Sequence, residues 1–177
     1  MFREMRRFKQ ALPAEECVAI LEKNSAGVLA VAGDDGYPYA VPVSYVYVDS
    51  KLYFHSALVG HKIDAITRND KVSFCVIDQD RVVPEEYTTY FRSVIAFGRA
   101  RILTDEKEKR QALEALAVKY SPGDDAQGRD STINQSFDRV CIIEMSIEHM
   151  TGKEAKELAK ARQAGEAGQA EHADQAG

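Results

Sequence analysis

No apolar run in the chain approaches the roughly 18 residues a membrane-spanning helix needs, so no such helix is expected. Cysteine is scarce: Cys17, Cys75 and Cys141 are odd in number and far apart. That argues against a disulfide framework and lacks the close pairing of a metal site. Cys75 lies in the apolar run Val72–Ile77, and reduced core thiols of a cytosolic protein are expected. Positive charge is not in excess: 23 Lys and Arg face 28 Asp and Glu, for a net charge of −5. This speaks against a nucleic-acid binder, which needs a clustered basic surface. The one basic cluster, Arg3, Arg6, Arg7 and Lys9, reads as a solvated arm. The start Met1–Arg7 is charged and no apolar stretch follows it, so no signal peptide is expected. Walker loop, GxGxxG and Ser–His–Asp signatures are also missing.

What is present reads as strands and tight turns. Pro13–Lys23 opens with proline and two glutamates and spaces Cys17, Ile20 and Leu21 along one helical face. Gly27–Ala32, Tyr37–Val48 and Lys51–Ser56 read as three strands, separated by Gly33–Gly36 and by Asp49-Ser50. A short helix over Ile63–Arg68 and a strand over Lys71–Asp78 follow. A long strand over Tyr87–Leu103 is expected to bend near Gly98. Asp105–Tyr120 is a capped helix with Leu113, Leu116, Ala117 and Tyr120 on its apolar face. The polar stretch from Ser121 to Ser131 is expected to be a mobile loop, and Val140–Ile147 the last strand. A charged helix over Lys153–Gln163 and disorder over Glu166–Gly177 complete the chain. Three strands in a row without a crossover helix exclude a doubly wound parallel sheet. A mainly β fold is implied, a small antiparallel barrel with peripheral helices.

One stretch carries chemistry. Val41–Lys62 forms a hairpin that runs through Leu58-Val59-Gly60 into a helix start at His61-Lys62. A lysine in the first turn opposes the helix dipole, at about 0.3–1 kcal/mol. An anion there would remove the mismatch, because free N–H groups already point outward and Lys62 adds a point charge. Gly60 would allow close backbone approach. A solvent-facing basic turn is the other reading, and local sequence does not separate the two. Pro42 inside a strand belongs at an edge or a bulge. His55 lies on the face opposite Phe54 and Ser56, toward a pocket or toward solvent. Arg92 is free to pair with a carboxylate such as Asp64, or with phosphate.

The chain resembles the pyridoxamine 5'-phosphate oxidase-like FMN-binding split barrels, and within them the nitroimidazole-resistance (Nim-type) branch. The resemblance covers about residues 3–155. It rests on Gly36–Tyr47, Leu52–Ala57, Gly60–Asp64, Val72–Val76, Tyr90–Gly98 and Thr151-Gly152-Lys153, in that order and spacing. It implies a split-barrel domain over 1–153, a tail over 154–177, and a homodimer with FMN at the subunit interface. By position, Val41, Pro42, Val43 and Ser44 would line the flavin ring, and His55, Ser56 and Ala57 its ribityl side and edge. Gly60, His61 and Lys62 would hold the phosphate, and Arg92 and Ser93 would come from the other subunit. His55 matches a Nim-type histidine tied to substrate chemistry, which makes it the catalytic candidate. Lys153 falls on a motif of this branch and has no assigned role. The arginine-bearing C-terminal motif of the vitamin B6 oxidases is missing, so pyridoxamine phosphate is not the expected substrate. The resemblance therefore implies an FMN-dependent reductase of small molecules, nitroaromatic compounds among them. A non-catalytic flavin carrier or redox sensor is the alternative, and haem binding a more distant one. No metal and no nucleic acid are expected as partners.

Overall fold

The computed structural model describes residues 1–174, with side chains through residue 165. One antiparallel sheet contains eight strands. They are β1 (Ala11–Leu12), β2 (Ala26–Ala32), β3 (Pro38–Ser44), β4 (Val46–Val48), β5 (Lys51–Ala57), β6 (Lys71–Val83), β7 (Thr88–Ile102) and β8 (Val140–Glu154). The helices are α1 (Ala14–Lys23), α2 (His61–Arg68), α3 (Glu106–Tyr120), α4 (Ala126–Ser136) and α5 (Lys156–Asp174). The strand order is β3-β2-β6-β7-β8-β5-β4, with β1 added to β8. β3 and β4 sit at opposite ends of this order, yet only Tyr45 separates them in sequence. The sheet must therefore curl until its ends meet, and it closes without a ladder between them. This is a split barrel.

Tyr45 fixes the seam. It is fully buried, its hydroxyl donates to the Leu21 carbonyl at 2.7 Å, and its ring meets Phe74 edge-on at 4.9 Å. The strand expected over Tyr37–Val48 is thus two strands. Their alternation predicts one continuous ribbon, but barrel closure takes Tyr45 out of the ladder. Asp49 and Ser50 both have positive φ, 48° and 63°, as a two-residue hairpin turn requires.

Period-2 alternation fills the interior. Leu29, Leu52, Phe54, Phe74, Val76, Val94, Ala96, Ile143 and Met145 point inward, and α1 adds Cys17, Ile20 and Leu21. Truncating a fully buried phenylalanine such as Phe74 costs about 3–5 kcal/mol. A smaller core under α3 and α4 holds Val46, Leu103, Leu113, Leu116, Ile133 and Ile142. β7 shifts register against β8 between Phe97 and Gly98, at the expected bend. A side chain at Gly98 would strike the Ser146 carbonyl.

Three further expectations are corrected. The stretch expected to be a mobile loop to Ser131 contains α4. Asp125 caps it by accepting from the Gly128 N–H at 2.7 Å, and Arg110 ties Asp130 to α3 at 2.7 Å. Only Ile133 of α4 is buried, so the helix has no apolar stripe to read. β8 runs to Glu154 rather than Ile147, because its polar end pairs along β7 as far as Arg92. α5 extends past Gln163 to Asp174 and docks at its start, where Ala155 and Ala159 are buried. Residues 175–177 of the stretch expected to be disordered lie outside the described residues. Among the described residues no helix is long and apolar enough to cross a membrane.

Candidate functional site

β5 sets up the first part of the site. Phe54 and Ser56 point inward, at 0% and 5% exposure, which leaves His55 and Ala57 outside. Ser56 pairs in register with Cys141 of β8, and its buried hydroxyl oxygen has no hydrogen-bond partner. The Cys141 thiol donates to the Ala57 carbonyl at 3.2 Å. Burial pushes this thiol up, while the nearby positive charge of Lys62 pulls it back. Ser56, Cys141 and Lys62 therefore share one neighbourhood.

The chain leaves β5 through exposed Leu58 and Val59 and enters α2 at Gly60. Gly60 has φ 137° and ψ 170°, a conformation open almost only to glycine. Nothing lies within 4 Å of where its side chain would be. Its conformation, rather than crowding, demands glycine, and the space above the loop is free. The Gly60 carbonyl already accepts from the Ile63 and Asp64 N–H groups at 2.9 and 3.1 Å. The N–H groups of His61 and Lys62 have no acceptor among the described residues.

The two basic side chains differ. His61 is anchored: its ring stacks on Tyr39 at 4.1 Å, and Nε2 lies 3.5 Å from Asp34 Oδ2. Lys62 is half-buried and makes no hydrogen bond or ion pair with any described residue. The ammonium of Lys62 and two unused N–H groups lie at one helix start, a donor set that suits an anion.

β3 borders this cradle as the edge of the sheet. Pro42 pairs with Val28 without a register shift, so it is an edge proline and not a bulge. Val41 and Val43 pack on the core, while Pro42 and Ser44 face outward. Val41–Ser44, His55–Ala57 and Gly60–Lys62 thus come from β3, β5 and the start of α2.

Arg92 and Ser93 lie elsewhere in the same chain. His61 sits over Tyr39, which pairs with Val31 beside the Ala30–Ser73 pair, whereas Ser93 pairs with Ile77. Ser73 to Ile77 is roughly 13 Å of strand, and two strands, β2 and β6, separate β3 from β7. Ser93 also points to the outer face, with Ile77 at 63% and Ile95 at 39% exposure. One chain does not bring them to the cradle. Arg92 pairs with Glu154, at 3.2 Å from Nε and 3.1 Å from Nη2, and not with Asp64. Glu154 is fully buried and also accepts from Arg162 Nε at 2.9 Å. Lys153 pairs in register with Ser93 and places its ammonium 5.3 Å from the centre of the Phe91 ring.

Sequence reasoning missed two groups. Cys141 has no local signal, because its partner Ser56 lies on a distant strand. His149 lies between the strand read to Ile147 and the Thr151-Gly152-Lys153 motif; its ring stacks on Phe2 at 4.7 Å, with a buried Nε2 that has no partner among the described residues. With Ser93, Thr151 and Lys153 it lines a hollow of about 520 Å³ on the outer sheet face.

A split barrel with free hydrogen-bond donors at the start of α2 is the class these features define. The chain belongs to the pyridoxamine 5'-phosphate oxidase family, whose model matches residues 13–154. Among solved structures it is similar to a candidate 5-nitroimidazole antibiotic resistance protein from Bacteroides thetaiotaomicron. That match has 23% identity and a TM-score of 0.67, covering 81% of this chain and 85% of the other. A FAD-binding protein from Mesorhizobium loti is 29% identical, with a TM-score of 0.61 over 82% and 97%. A conserved hypothetical protein from Mycobacterium tuberculosis is 17% identical, with a TM-score of 0.75 over 88% and 92%. No curated protein matches the chain.

Proposed function

We propose that this protein is an FMN-binding flavoprotein that reduces small molecules, with nitroaromatic compounds among its substrates. The observation that carries the reading is Lys62, half-buried and unpaired beside the free N–H groups of His61 and Lys62. These donors and the open space over Gly60 suit the phosphate of a flavin mononucleotide. The edge strand Val41–Ser44 offers unpaired main-chain groups to a flat heteroaromatic ring. The family match and the FAD-binding relative from Mesorhizobium loti support a flavin as the ligand.

Bound flavin would supply hydride or electron transfer to the substrate. The chain's own residues bind and orient. Lys62 and the α2 start hold the anionic end, and His61 is kept in place by Tyr39 and Asp34. His55 is exposed at the end of β5, where it can hydrogen-bond to a substrate or give it a proton.

The working unit in this reading is a cytosolic homodimer. The cradle stands on an open surface, and Arg92 and Ser93 cannot reach it within one chain. Exposed Ile77 and Ile95 on the outer sheet face favour a second copy as its cover. Arg92, held by Glu154, and Ser93 would then form the second wall. Purified protein should show a flavin absorbance spectrum, and heat should release FMN rather than FAD, as chromatography would separate them. A colourless protein that takes up neither flavin would overturn the proposal. Oxidation of NAD(P)H with a nitroaromatic acceptor tests turnover separately, and bound flavin without it would favour a carrier or sensor.

A further inference from the structure

The basic arm at the N-terminus does not float free. Residues Phe8–Gln10 form a short 3-10 turn, and the segment lies against α5. Arg6, Arg7 and Lys9 meet Lys156 and Lys160 around a single hollow of about 500 Å³. None of these five side chains makes an ion pair or a hydrogen bond with any described residue. Five like charges around one cavity repel one another, and the chain as a whole is acidic, at −5. Other exposed cations in the fold do have carboxylate partners: Arg99 with Asp70 and Glu148, Arg101 with Glu108 and Glu144. No carboxylate lines the hollow to offset its five cations.

Two neutral features line the same space. Phe8 is 71% exposed, so its ring is available for stacking. Gln10 has a buried side-chain oxygen with no hydrogen-bond partner. That oxygen is enclosed, while the NH2 group of the half-buried side chain can donate to a ring nitrogen of a ligand. The volume suits a small molecule. A concave ring of charge fits a compact polyanion better than the extended track of a nucleic acid, which calls for a stripe or a face.

We propose that the hollow between the N-terminal arm and α5 is a binding site for a nucleoside-diphosphate-like ligand. The cations would take its phosphates, and Phe8 with Gln10 would take its base. The site is distinct from the Gly60–Lys62 cradle and does not depend on the flavin reading.

Calorimetric titration of the full chain with ADP, inorganic pyrophosphate and a single-stranded oligonucleotide tests this. ADP should bind more tightly than pyrophosphate. Lys156→Gln with Lys160→Gln should weaken ADP at least about tenfold, the loss expected when charge-assisted contacts go. Lys62→Ala should leave ADP affinity unchanged. If the α5 double variant does not fold, Arg6→Gln with Arg7→Gln on the arm serves the same purpose. The inference fails if the wild type binds neither ADP nor pyrophosphate. It also fails if ADP affinity follows Lys62 instead, or if only the oligonucleotide binds.

Discussion

Lys62 and Arg92 look alike in the sequence, each a cation beside a run of small or polar residues and each a phosphate candidate. Their surroundings in the fold are opposite. Arg92 meets the fully buried Glu154, which also holds Arg162, and its Nη1 lies 3.8 Å from Glu16 Oε2. That cluster joins α1, β7, β8 and α5. Lys62 has no ion pair or hydrogen bond among the described residues, and the space around Gly60 is empty. A paired cation that ties four elements together holds the fold. An unpaired one at an open edge is available to a ligand. Arg92 can still offer a pre-oriented guanidinium edge to a second copy, but its first task is within its own chain.

The largest effect should fall at the Glu154 cluster. Glu154→Ala strands two arginines without their buried carboxylate and should cost about 3–5 kcal/mol of stability. Urea unfolding would measure it, and a loss within experimental error would show that the cluster is dispensable. Gly60→Ala should come next. It forces a side chain into a conformation strained by about 1–3 kcal/mol, although the space is open. The cost should appear as a lower melting temperature or as a reshaped cradle that binds flavin poorly, and a variant equal to wild type in both would contradict the assigned geometry.

A smaller effect should follow pH. Burial pushes the Glu144 carboxyl up, but hydrogen bonds from Arg101 and Lys51 outweigh it and hold the group below its ordinary 4.5. A depressed carboxylate stabilises the fold above its unfolded value. That contribution is lost as pH falls through the folded value. Stability should therefore decline on acidification below about pH 4.5. Glu144→Gln should flatten this part of the curve, and an identical slope in the variant would remove Glu144 from the account.

How much of this was legible in the sequence follows the range of the interactions. The hairpin at Asp49-Ser50, the capped α3 and the bend at Gly98 carry local signals, and all three stand where expected. The His55 alternation also held, because Phe54 and Ser56 on either side are buried. α4 was not legible, since its stability comes from an Asp125 cap and polar ties to α3 with one buried isoleucine. Glu154 as the partner of Arg92 was not legible either, because β7–β8 register sets the pair across a wide gap in sequence. The same holds for Ser56 facing Cys141. The cradle was half legible. Residue types at Gly60-His61-Lys62 suggest an anion, but only the fold reveals that His61 is anchored and Lys62 is not.

That distinction gives the most direct test. FMN should be titrated into flavin-free wild type, Lys62→Ala and His61→Ala, with melting followed in parallel. A lost charge-assisted contact is worth about 1.5–3 kcal/mol. Lys62→Ala should thus bind FMN more weakly by one to two orders of magnitude, with its melting temperature unchanged. Undiminished FMN affinity in Lys62→Ala would contradict the claim that this unpaired lysine is the phosphate anchor.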